Sequence, residues 1–144
     1  MGYAFAIENN RERERLVALI GRLNDDDLSK DAGGGWTISV IFAHLAFWDQ
    51  WTLARIRKWK QEGIVASPVD FDVINDSLIP LCKTIPPRAA AHLAIVAAEA
   101  VDRELEQLPV QMVEAIEAMG DKGRLRRSMH RGMHLGQIEE ILSK

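Results

Sequence analysis

The chain is 144 residues long, 47% apolar and 27% charged, with a formal charge of −3, the balance expected of one ordinary domain spanning 1–144. Its acidic balance speaks against a dedicated nucleic-acid binder, and its single cysteine, Cys82, excludes an internal disulfide. No run of about 18 apolar residues could cross a membrane, and no secretory leader pattern opens the sequence, so a cytoplasmic location is expected.

The first amphipathic helix is expected over 8–23, with Leu16, Leu19, Ile20 and Leu23 at helical spacing and the charged run from Arg11 to Arg15 wet. Asn24 to Asp27 and Gly33 to Gly35 are turn-forming, and Thr37 is a suitable cap for a second helix over 38–62, stopped by Gly63. Its stripe reads Ile38, Ile41, Phe42, Leu45, Asp49, Thr52 and Ile56. From Gly63 to Pro87 four prolines break the pattern; the segment reads as a long crossover in which 71–78 holds at most two helical turns, and Cys82 is a small buried or half-buried side chain there. An alanine-rich third helix follows Pro86 and Pro87 and ends before Pro109, its stripe read as Leu93, Val96, Ala97, Ala100, Leu105 and Leu108. A short helical piece over 113–119 and a last helix over 125–142 complete the chain. Four substantial helices, each with one apolar stripe to bury, imply an all-α four-helix bundle with at least one crossover.

His130 and His134 stand i, i+4 on the last helix, stacked on the face it shares with Gln137 and Ile141. Buried imidazoles need partners, and two readings stay open: a hydrogen-bond network, or a metal site with a third ligand. Of the candidates for that ligand, His44 falls about 100° from the centre of its helix stripe, on a shoulder with Trp48, Trp51 and Arg55. His92 lies off the small-residue stripe of the third helix and is expected in solvent or paired with Glu99. The residue after His130 is Arg131, not the glutamate that zinc proteases use as base, which excludes that mechanism.

Trp48 and Trp51, beside His44, are pocket candidates, whereas core packing accounts for Trp36 and Trp59. Arg124, Arg126, Arg127 and Arg131 surround the start of the last helix; a solvated helix end is the simpler reading, with anion recognition as the functional one. Arg131, inside the histidine motif, is placed at the pocket, and Gln137 is placed to orient a ligand or bound water, with plain packing or exposure as the simpler role.

Two segments then carry a resemblance. Trp36-Thr37-Ile38-Ser39-Val40-Ile41-Phe42-Ala43-His44-Leu45-Ala46-Phe47-Trp48 is similar to the tryptophan-led helix of the DinB-like superfamily, and His130-Arg131-Gly132-Met133-His134-Leu135-Gly136-Gln137-Ile138 to its closing helix. That superfamily includes YfiT and the thiol-dependent maleylpyruvate isomerases. The resemblance implies an up-down-down-up bundle, often a homodimer, with a divalent ion held by His44, His130 and His134 at a pocket open to a small-molecule substrate. Zinc or nickel suits three neutral imidazoles. It also implies a metal-dependent enzyme, either a thiol-dependent transferase or isomerase using a low-molecular-weight thiol, or a hydrolase. A non-catalytic stress-response or binding scaffold with a structural or vestigial metal is the alternative. No nucleic-acid or membrane partner is expected.

Overall fold

The computed structural model describes residues 2–120 and 122–144. Helix α1 (Ala4–Arg22) leads through the short α2 (Asp25–Leu28) and a two-stranded hairpin, β1 (Asp31–Gly33) and β2 (Trp36–Thr37), into α3 (Ile38–Glu62). Then come α4 (Phe71–Cys82), α5 (Pro87–Glu106), α6 (Val110–Ala118), a single 3-10 turn at Lys122–Arg124, and α7 (Arg127–Leu142). No described helix is long and apolar enough to cross a membrane.

Two core clusters give the direction of each helix. One joins the end of α1 (Leu16, Leu19), the start of α3 (Ile41, Phe42), the start of α5 (Ala91, Ala94) and the end of α7 (Leu135, Ile138). The other joins the start of α1 (Phe5), the ends of α3 (Ile56, Trp59) and α5 (Val101, Leu105), and Leu125 just before α7. Helices α1 and α7 therefore run one way and α3 and α5 the other, which is the up-down-down-up order. Parallel α3 and α5 require a return path, and the segment carrying α4 supplies it.

Local chemistry explains the boundaries of α3. Thr37 accepts the Val40 backbone N–H at 3.3 Å, and Gly63, at φ 92°, ends the helix in a conformation that side chains disfavour. Gly33, Gly34 and Gly35, at φ 90°, 61° and 83°, turn the hairpin that sets Trp36 against the start of α3. Helix α7 lacks a side-chain cap of its own. Asn9 of α1 serves instead: its Oδ1 accepts the Ser128 backbone N–H and its Nδ2 donates to the Leu125 carbonyl, both at 2.8 Å.

Three segments differ from expectation. Helix α1 starts at Ala4 because Phe5 and Ala6 are buried in the second cluster and the Tyr3 hydroxyl donates to the Leu108 carbonyl. Helix α4 extends to 12 residues: Asp70 caps it, and Pro80, itself exposed, lies in its last turn between the buried Leu78 and Cys82. The third-helix stripe is also corrected. Leu93 and Val96 are 44% and 46% exposed, while Ala90, Ala91, Ala94, Ala97, Ala98 and Val101 are buried. Small side chains let α5 approach α3 closely, and this is the most extensive helix packing in the bundle.

Candidate metal centre

Antiparallel packing of α3 on α7 brings rows of side chains together. His44 meets His130 and His134, and further along α3 Asp49 meets Arg127 and Arg131. The Nε2 atoms of His44 and His130 are 3.0 Å apart, and one ring nitrogen from each of the three histidines lies within 4.8 Å of the others. Nitrogens around a tetrahedral zinc stand about 3.3 Å apart, given bonds of roughly 2.0–2.1 Å. The triad fits a divalent ion on donor chemistry as well, since the grouped donors are all imidazoles.

His44 is not on a shoulder. It is 4% exposed, with the Trp36 ring edge against it, because the hairpin folds Trp36 over the first turns of α3. Burial is the main reason that the His44 imidazole titrates near 4, helped by His134 and the Arg127 charge. His130 is pushed down to about 2, by burial first and then by the Arg127 guanidinium, whose Nη2 lies 3.5 Å from its Nδ1. Burial also lowers His134, while Gln137 opposes the shift. The His134 Nδ1 lies 2.9 Å from the Gln137 Oε1, which accepts its proton and leaves Nε2 as the lone-pair atom. All three rings are therefore neutral at pH 7, the state in which imidazole ligates metals.

The histidines form one wall of a cavity of about 420 Å³, within the usual size of small-molecule sites. Trp36, Trp48, Phe71 and Met133 supply its apolar surface; Asn75, Arg124 and Arg127 supply the other polar side chains. The crossover thus closes the site, with Phe71 against Trp48 and the Trp48 indole N–H donating to the Asn75 Oδ1 at 2.9 Å. Among the described residues lining the cavity none is acidic.

Trp48 lines this cavity as expected, and so does Trp36, which core packing alone does not explain. Trp51 stands behind it, tilted against Trp48 and covered by the Arg124 guanidinium at 4.1 Å. His92 is exposed on α5, away from the triad. The arginine cluster needs the largest correction. Arg124, Arg127 and Arg131 are buried. Arg131 points away from the cavity into the core, where it donates two hydrogen bonds to Asp102 at 2.8 and 2.9 Å, one to Asp49 at 3.2 Å and one to the Asn9 carbonyl at 2.9 Å. Arg127 donates through Nε to Asp49 and through Nη1 to the Gly123 carbonyl, and Arg13 closes the network on Asp102 at 2.8 Å. Burial works against the Arg131 charge, but Asp49 and Asp102 outweigh it and raise its pKa. A carboxylate at a stripe position, Asp49, was the sequence signal for a buried basic partner.

The model of the DinB superfamily matches residues 8–138, and the chain belongs to that superfamily. The match includes His44, His130 and His134, which could hold a metal ion. No curated protein and no solved structure matches the chain.

Proposed function

We propose that the chain is a metal-dependent enzyme acting on a small molecule, with His44, His130 and His134 as ligands of zinc or nickel. The observation that carries this reading is the convergence of three neutral imidazoles on the wall of a substrate-sized cavity, with no acidic ligand among the described residues to complete a closed set. When bound there, a divalent ion supplies Lewis-acid chemistry that lowers the pKa of water or of a thiol and polarises a carbonyl or similar group. Both a thiol-dependent transferase or isomerase and a hydrolase are served by that chemistry.

The chain's own residues prepare the site. Gln137 holds the His134 proton on Nδ1, fixing the tautomer that leaves Nε2 available. Trp36 and Trp48 keep the His44 side of the cavity apolar, and Phe71 and Asn75 of α4 form its outer wall. The Asp49 carboxylate holds Arg127 by Nε, which sets the Nη2 end of the guanidinium beside His130.

Elemental analysis of untagged protein, beside the triple variant His44→Ala, His130→Ala, His134→Ala, tests the reading. The expected result is close to one zinc or nickel per chain in the wild type and none in the variant. Wild type that stays empty after dialysis against either ion removes the proposal. Bound metal whose coordination sphere does not respond to added thiol or azide would mark a structural site instead.

A further inference from the structure

Resting on the reading that His44, His130 and His134 hold a metal ion, we infer that Arg127 is a positioning residue: it keeps the proton of His130 on Nε2, the nitrogen turned to His44, and so holds one of the three ligands back. His130 and His134 share a face of α7, yet their Nδ1 atoms meet opposite chemistry. The His134 Nδ1 meets an acceptor, the Gln137 Oε1 at 2.9 Å, which keeps its proton there. The His130 Nδ1 meets a donor, the Arg127 Nη2 at 3.5 Å, and a guanidinium has no lone pair to offer. Nδ1 of His130 therefore accepts, and the single proton of that neutral ring belongs on Nε2.

The rest of the triad agrees. The Nε2 atoms of His44 and His130 are 3.0 Å apart, a hydrogen-bond distance that calls for one proton between them. With that proton on His130, the His44 Nε2 accepts and the His44 proton falls on Nδ1, the buried atom without a partner among the described residues. The reverse arrangement sets the His130 N–H against the Arg127 N–H. Arg127 is also held in place: Asp49 accepts from its Nε at 2.8 Å, the Gly123 carbonyl accepts from its Nη1 at 2.9 Å, and the side chain is buried. Without metal, then, the site rests with lone pairs on the Nε2 atoms of His44 and His134 and an N–H on that of His130. To offer Nε2 to an ion, His130 gives up that proton and takes one on Nδ1, so the ring stays neutral while its hydrogen bond from Arg127 is lost. From one helix, Gln137 favours metal uptake and Arg127 opposes it.

Nitrogen-15 NMR of metal-free, histidine-labelled protein at about pH 7.5, where even a free imidazole is mostly neutral, reads each tautomer directly. Single histidine-to-glutamine variants assign the signals. The expected pattern is Nε2–H for His130 and Nδ1–H for His44 and His134. Arg127→Met removes the donor, and should shift the His130 signals away from the Nε2–H pattern and raise zinc affinity at least about tenfold in competition with a chelating dye, the margin of one charge-assisted hydrogen bond. An Arg127 that only braces the fold would leave zinc affinity unchanged or lower it on removal. Nδ1–H on His130 in the metal-free wild type overturns the inference, as does a folded Arg127→Met that binds zinc no more tightly, or more tightly with the His130 signals unmoved, which would trace the gain to charge alone. The wild-type spectrum decides even where Arg127→Met fails to fold. The metal reading fails separately: protein that takes up no zinc can still hold His130 as Nε2–H, and protein that takes up zinc can still show Nδ1–H there before loading.

Discussion

Two buried polar regions lie side by side between α3 and α7, and they are finished to different degrees. In the ionic network every carboxylate oxygen of Asp49 and Asp102 accepts at least one arginine N–H, and Arg131, only 1% exposed, donates to three residues. In the histidine region the polar atoms face one another: two Nε2 atoms stand 3.0 Å apart, and the buried His44 Nδ1 has no partner among the described residues. The ionic network leaves only the Arg131 Nε without a partner among the described residues, and pairing of all four carboxylate oxygens anchors the helices, whereas unpaired imidazole nitrogens bordering a cavity suit something that arrives. The same helix face carries both, since Arg127, His130, Arg131 and His134 occupy the i, i+3, i+4 and i+7 positions of α7.

This contrast breaks most sharply at Arg131. Arg131→Met leaves two buried carboxylates short of donors and should cost about 3–5 kcal/mol, read from urea unfolding. A loss under about 1 kcal/mol would mean the network is no more than a packing element. On the other side, Gln137→Leu removes the acceptor of the His134 N–H. Zinc affinity should fall roughly 10- to 100-fold in a competition assay with a chelating dye, with the unfolding midpoint of the metal-free protein nearly unchanged. Asn9→Ala removes the borrowed cap of α7 and should cost about 1–3 kcal/mol by the same denaturation assay, with zinc affinity less affected than by Gln137→Leu.

Acidification gives the smallest effect. His44 and His130 have folded-state pKa values of about 4 and about 2, below the 6.5 of a free imidazole. Below pH 6.5 the unfolded chain therefore binds protons that the folded chain refuses, so stability falls as pH falls toward the folded values and is insensitive to these groups above pH 7.5 or so. Between pH 7 and 6 the loss should be about 0.7 kcal/mol for each of the two histidines in metal-free protein. The triple histidine-to-alanine variant should show a flatter profile over that interval; an equally steep one would place the titration elsewhere.

The helical periodicity of α3, the Gly63 stop and the Pro87 start were legible in the sequence, as were the three histidines once their motifs were seen together. What was not legible follows from contacts between distant segments. Leu93 and Val96 look like core residues by type, yet the closeness of α5 to α3 buries alanines instead. Arg124, Arg127 and Arg131 look like a wet helix end, yet Asp49, Asp102 and Trp51 draw them inside.

By itself, then, the sequence determined the helices, because their signals are local: a period of 3.6, a capping hydroxyl, a proline without an N–H. It also specified the histidine pair on α7, since four residues along a helix always share a face. Only the tertiary structure decided that His44 is buried against that pair, that Arg131 serves the core while Arg124 and Arg127 serve the cavity, and that α4 closes the site. Those outcomes depend on which charges lose their water together, and a buried charge is tolerable only where a partner from another helix meets it.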